Sequence, residues 1–215
     1  MFSLAKLFGT EEKSYELLEA SGKEVCQSAE ALMRFLQDPS RLELVGGFAA
    51  HRHKAEQFKN EITEQLCKTF FTPLERKDIE AAAIALHKIT KAIEAFGERF
   101  LLCPPACRAA GFTRQAALLE KAVNVVGLMV HELRSAKRPA SWEKRNVELK
   151  RLEAEAGQLI VDLMQELEGG QPDPLAATLR RDLFELLETA IDRCRDAGNS
   201  TLRIALKSTA PLFAL

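Results

Sequence analysis

The sequence predicts an all-α protein built as two tandem three-helix bundles, and three observations predict it. Apolar residues recur at intervals of three and four along nearly the whole chain, the pattern of amphipathic helices. No alternating β-branched run flanked by turn residues competes with that pattern. The chain also repeats itself at an offset of about 101 residues. Leu18, Val25, Ala29 and Leu32 map onto Leu119, Val126, Val130 and Leu133, and Ala55, Phe58, Ile62 and Leu66 map onto Ala156, Leu159, Leu163 and Leu167. Thr72-Pro73 precedes His87 by the spacing at which Asp173-Pro174 precedes Glu188.

Six helices follow in order. The first is expected from about Glu11 to Gln37, capped by Thr10, and Asp38-Pro39-Ser40 breaks it. Asp38 and Pro39 then suit the N-cap and first residue of a second helix reaching about Phe70, with Gly46-Gly47 weakening its first turns. Thr72-Pro73-Leu74-Glu75 reads as a capping box opening the third helix. The Thr side chain would accept from the third-residue amide, Pro loses no needed donor, and Glu75 reaches back. That helix runs to about Leu102 and stops at Pro104-Pro105. The fourth is expected from about Phe112 to Ala136, closed by Lys137-Arg138-Pro139, and the fifth from about Trp142 to Glu168. In the fifth, Leu149, Leu152, Ala156, Leu159 and Leu163 step as a bundle seam. Gly169-Gly170 ends it, and Asp173-Pro174 starts a sixth helix reaching roughly Lys207. Short connections make neighbours antiparallel, giving an N-terminal bundle over 1–105 and a C-terminal bundle over 106–215.

Bulk properties narrow the function classes. A net charge of −1 and a pI near 6.5 argue against general nucleic-acid binding. No apolar run approaches the ~20 residues of a membrane span, and Met1 to Phe8 is too short for a secretory signal, so a cytoplasmic protein is expected. Five cysteines (Cys26, Cys67, Cys103, Cys107, Cys194) form neither a redox CxxC nor paired zinc knuckles, and read as free thiols. No phosphate-binding glycine loop and no nucleophile–base set is present, so no catalysis is expected.

The repeat pairs chemically different residues at equivalent places. In the sixth helix Glu188, Asp192 and Asp196 lie four apart and share a face, with Asn199 returning to nearly the same side. Glu153 on the fifth helix adds another acid if the two helices pack side by side. Two such charges 4 Å apart repel by about 4 kcal/mol at an effective dielectric near 20. Relief comes either from Arg193, Arg195 and Arg203 on a solvated face, or from a cation between the helices, as in carboxylate bundles. The first copy carries Arg52, Glu56, His87, Lys91 and Ala95 where the second has Glu153, Gly157, Glu188, Asp192 and Asp196. A divalent cation is unsuited to Arg52 and Lys91, so an internal ion pair of Glu56 with either base is expected there.

These residues carry a family resemblance. Leu66 to Ile79 resembles the L-x-K-x-F-x-T-P-x-x-R-x-D-I signature of bacterial PhoU-like proteins of the Pit-accessory branch, and Leu187 to Asn199 resembles that branch's L-E-x-x-x-D-x-C-x-D-x-x-N segment. The resemblance covers nearly the whole chain. It implies a pair of three-helix bundles, a cytoplasmic location and an accessory or regulatory role beside a membrane transporter of inorganic phosphate, with E(D)xxxD motifs able to hold metal. Carried over, those motifs fall at Arg52 and Glu56, His87 and Lys91, Glu153 and Gly157, and Glu188 and Asp192, of which only the last pair is intact. The resemblance therefore implies either no cofactor or one metal site (iron, manganese or zinc) in the C-terminal bundle only, at Glu153, Glu188, Asp192 and Asp196.

Arg134, Lys137, Arg138, Lys144, Arg145, Lys150 and Arg151 gather around the turn between helices four and five. They read as a solvated bundle end or as a docking surface for an acidic loop or the anionic inner membrane face. Trp142 plugs that end or anchors at an interface. His51 and His53 are expected at the surface. The expected function is thus a non-enzymatic accessory protein meeting the transporter or its regulatory proteins, peripheral at the membrane and open to self-association. The rivals are a metal store or metal-dependent enzyme and a purely structural helical adaptor.

Overall fold

A computed structural model describes residues 4–68, 75–108, 111–135, 139–169 and 173–209, and among them the periodic segments form six long helices and no strand. They are α1 (Leu4–Gln37), α2 (Gly46–Lys68), α3 (Arg76–Leu102), α4 (Thr113–Glu132), α5 (Pro139–Gly169) and α6 (Pro174–Thr209). Each interior position quoted for the repeat that lies among residues with described side chains is buried or half-buried, and the α5 seam from Leu149 to Leu163 is buried throughout. Leu167 lies outside the described side chains.

The helix ends depart from local signals in several places. α1 already begins at Leu4, so Thr10 lies inside it and caps nothing. Extending a formed helix costs less than nucleating one, which outweighs a weak internal stop. Asp38 and Pro39 do not start α2. Ser40 Oγ donates to the Asp38 carboxylate, a 3₁₀ turn spans Leu42–Val45, and α2 starts at Gly46. That detour inserts Val45 and Phe48 into the core, which capping alone does not reveal. Thr72, Pro73 and Leu74 lie outside the described residues. Glu75 is the extended residue ahead of α3 rather than its third member, and its carboxylate is held by Lys207 (2.6 Å) and Lys77 (3.1 Å) instead of closing a box. Pro139 opens α5 rather than closing α4, as a first-turn proline does. The α6 start is as read: Asp173 Oδ2 accepts from the Ala176 amide at 3.1 Å.

Cys103 is extended before Pro104, as a pre-proline residue must be, and ends α3. Arg108, from the single helical turn Pro105–Arg108, donates to the orphan carbonyls of Leu101 (2.7 Å) and Cys103 (2.8 Å).

The two halves pack about a pseudo-two-fold relation. Equivalent helices (α1 and α4, α2 and α5, α3 and α6) make equivalent neighbours, and the halves meet where α1 packs on α4 and α3 on α6, each helix against its own counterpart. One apolar core runs through both halves. Its seam is aromatic: Phe35, Phe100, Phe96, Phe112 and Phe184 touch in series, with the last pair's ring centroids 4.8 Å apart. Trp142 is fully buried and donates through Nε1 to the Met129 carbonyl at 3.3 Å, so it plugs the bundle end and is no interfacial anchor.

Candidate functional site

The acidic cluster of the second half forms where α5 packs on α6. Gly157 brings the two helices together there: a Cβ at that position would stand 3.2 Å from Glu188 Oε1. The missing side chain is thus the space that lets Glu188 lie against α5. Glu188 and Asp192 are both half-buried. Burial foremost, then the neighbouring charges of Asp192, Glu185 and Glu153, raise the Glu188 carboxyl above its ordinary range. Burial and then Glu153 do the same to Asp192, with Arg193 opposing.

The other two acids are already compensated. Arg195 Nη1 donates to Glu153 Oε2 at 2.6 Å, and Arg193 Nη1 to Asp196 Oδ2 at 2.8 Å. Asp196 is exposed, and its charge adds only the smallest push on Asp192. Arg203, expected to relieve this face, instead approaches Asp78 on α3 at 3.8 Å. Asn199 accepts from Asn146 Nδ2 at 3.0 Å. Two free carboxylates, Glu188 and Asp192, therefore remain. They fall short of the four ligands usual for zinc and of the larger carboxylate sets of di-iron bundles. Among the described residues no three carboxylate, imidazole or thiol groups form a metal-ligating set. The residues present do not fit the metal centre that the resemblance implies.

That arrangement carries a prediction with a definite sign. A raised carboxyl pKa means the native state holds the proton more tightly than the unfolded chain. Stability from this pair is therefore greatest below the ordinary carboxylate range and falls as pH rises through the native pKa values. Asp192→Asn at neutral pH is expected to stabilise the protein, by no more than about 1 kcal/mol once partial exposure is discounted, and so to raise its melting temperature. Calorimetry of both forms checks it. A destabilised variant, or a wild type whose melting temperature climbs with added manganese or zinc, would mean the pair is a cation site after all.

The equivalent place in the first half, between α2 and α3, is a different object. Glu56 pairs with Arg52 at 2.7 Å rather than with Lys91, and Glu94, which the sequence reading missed, takes the other side of the guanidinium at 2.9 Å. Arg52 is raised accordingly, by Glu94 foremost. His87 is half-buried and pushed below its usual range by burial first, then by Lys59, Arg52 and Lys91, with Glu56 opposing. His51 is a correction. It is half-buried, with Nδ1 2.6 Å from Glu24 Oε1, and Lys54 holds the other oxygen at 2.7 Å. Glu24 is almost fully enclosed in α1, and a buried carboxylate needs such partners. His53 is exposed beside Gln57, as read.

The basic cluster is partly spent on internal pairs. Arg134 faces Glu12, Glu16 and Glu19, Arg145 grips Glu132 through its two terminal guanidinium nitrogens, and Arg151 pairs with Glu155 at 3.1 Å. Lys144 and Lys150 are exposed, whereas Lys137 and Arg138 lie outside the described residues. All five cysteines are free. Cys103, Cys107 and Cys194 are buried, Cys26 is half-buried and Cys67 is exposed. Burial drives the Cys194 thiol well above its ordinary value, so it is an unreactive packing group.

No family model matches the chain. It is 21% identical over 194 residues to the UPF0111 protein YkaA of Bacillus subtilis (strain 168), covering 89% of this chain and 94% of that one. It is 23% identical over 215 residues to a Rhizobium meliloti (strain 1021) protein named as a pit accessory protein, covering 94% and 97%. Among solved structures it resembles a PhoU-like protein from Shewanella oneidensis MR-1 (TM-score 0.77, 17% identity, 90% of this chain and 99% of that one). A second protein of that organism, described as a PhoU-like phosphate regulatory protein, matches with TM-score 0.76 at 18% identity over 89% and 98%. At these identities the structures establish the fold.

Proposed function

We propose that this chain, which has the PhoU-like fold and resembles a pit accessory protein along nearly its whole length, is a regulatory accessory of inorganic phosphate transport. The observation that carries the reading is that end-to-end likeness, which leaves no large segment of either protein unaccounted for. It acts by contact with the transporter or its regulatory proteins rather than by chemistry of its own. The free surface lysines Lys144 and Lys150 at the α4–α5 end support a docking role for that end, on an acidic loop or an anionic membrane face. No helix among the described residues is long and apolar enough to cross a membrane, so any membrane contact is peripheral through these residues.

Deleting the gene and measuring radiolabelled phosphate uptake tests the reading. Altered uptake at high or low external phosphate is expected. Unchanged uptake under both conditions would overturn it and leave a structural helical adaptor. Lys144→Glu with Lys150→Glu is expected to reproduce the deletion in part while the protein stays folded, because both side chains are exposed.

A further inference from the structure

The charge inversion between the halves leaves cations in the first half with nothing to bind. The ammonium groups of Lys59 on α2 and Lys91 on α3 make no ion pair or hydrogen bond among the described residues, whereas Arg52 beside them is paired with both Glu56 and Glu94. His87 stands in their midst. Phe48 against Gly97 and Arg52 against Glu94 set α2 antiparallel on α3, in a register that brings Lys59 level with His87. The charged groups facing the ring are Lys59, Glu56 and Arg52 from α2 and Lys91, one turn on along its own helix. Its Nδ1 is enclosed and has no hydrogen-bond partner. An enclosed bare acceptor is tolerated better than an enclosed N–H, so the neutral ring carries its proton on Nε2. The group offered between the two ammonium groups is then a donor. Apart from the Glu56 carboxylate, the groups there are donors and cations, which suit an anion better than a metal ion.

We propose that Lys59, His87 and Lys91 form a binding site for a small tetrahedral oxyanion of the phosphate class, at the place where the second half carries Glu188 and Asp192. Arg52 is left out of the set because its charge is already offset by Glu56 and Glu94. It holds the Glu56 carboxylate at the rim of the site. A carboxylate there accepts a hydrogen bond from an oxyanion that still bears a proton and repels one that bears none, which favours hydrogen phosphate over sulfate. The anion site stands on these residues alone, and its link to a transported phosphate rests on the reading of the previous subsection. Bound anion accepts from the Nε2–H of a ring that stays neutral, because the enclosed Nδ1 has no partner for a second proton.

The test is an NMR titration of the histidine side chains in the full chain, with inorganic phosphate as the probe and sulfate at equal ionic strength as the comparison. Saturable shifts of the His87 ring signals with phosphate are expected. In Lys59→Met with Lys91→Met, two exposed or half-exposed substitutions that leave the fold intact by circular dichroism, affinity is expected to fall by about tenfold or more. A His87 signal that ignores phosphate at tens of millimolar, or a folded double variant that binds as tightly, overturns the site. Sulfate binding as tightly as phosphate overturns the phosphate-class assignment. Unchanged uptake on gene deletion removes the transport reading while leaving the binding result standing, so the two failures are distinguishable.

Discussion

Gly97→Ala is expected to cost about 3 kcal/mol, at the upper end of what overpacking a dense core does. A Cβ at Gly97 would stand 2.5 Å and 2.9 Å from two ring atoms of Phe48 and 2.8 Å from Val45 Cγ1. Phe48 is fully buried against Phe35 in a close-packed core, so accommodating the methyl requires α2 or the 3₁₀ turn before it to shift. Alanine's better helix propensity returns only about 1 kcal/mol. The repeat supplies a second instance: Gly198, the counterpart of Gly97, would place its Cβ 2.3 Å from Leu149 Cδ1. Gly198→Ala is expected to cost about 2 kcal/mol, less because one leucine end yields more readily than a ring. Gly47→Ala is the control. Nothing lies within 4 Å of its Cβ position, so it is expected to be neutral or stabilising by up to about 1 kcal/mol. Chemical denaturation of the three variants checks the order. A Gly97→Ala protein as stable as the wild type would mean that α2 and α3 do not approach as described.

Those glycines show what was legible in the sequence and what was not. The repeat offset aligns Gly97 with Gly198, but a glycine inside a helical pattern reads only as a weak point. Its use, letting α2 approach α3 and α5 approach α6, is a tertiary fact. The helices themselves were readable because burial enforces the three-four spacing, as the seam from Leu149 to Leu163 shows. Their starts were less readable. Asp38-Pro39 has the right chemistry for a cap, yet seating Phe48 and Val45 outweighs the gain from a cap, which is about 1 kcal/mol. At the site, the charge contrast between halves was visible from residue types alone, and so were Arg193 and Arg195 as partners of the acids. Glu94 and Lys59 were not, because neither falls on the repeat positions compared. Glu24 had a signal that went unused: Ser14, Leu17, Ser21, Glu24 and Ser28 step at helical spacing and are all buried, a second inward stripe of mostly small residues on α1.

Asp78→Ala is expected to destabilise the protein by about 2–3 kcal/mol, the range for losing a buried, charge-assisted hydrogen bond. Asp78 lies in the first turn of α3 with its side chain only 7% exposed. Lys207, from the last turns of α6, donates to Asp78 Oδ2 at 2.7 Å and to Glu75 Oε2 at 2.6 Å, and Arg203 Nε stands 3.8 Å from Asp78 Oδ1. The start of α3 is thereby tied to the end of its own counterpart helix, and the helix N-terminus favours the same negative charge. Lys207 is raised from its ordinary value by Asp78 foremost and then by Glu75, so it stays charged throughout the physiological range. Removing the acid leaves Lys207 with Glu75 and water, whereas removing the lysine leaves a buried carboxylate with only the longer Arg203 contact. Lys207→Met is therefore expected to destabilise as well, and the pair should couple: the double variant loses less than the sum of the single losses. Because a chain of this length shifts its melting temperature by about 2–4 °C per kcal/mol, the Asp78 variant should melt about 5–10 °C lower. Additive losses across the double-mutant cycle, or no loss for Asp78→Ala, would mean that this clasp does not hold the two halves at that end of the core.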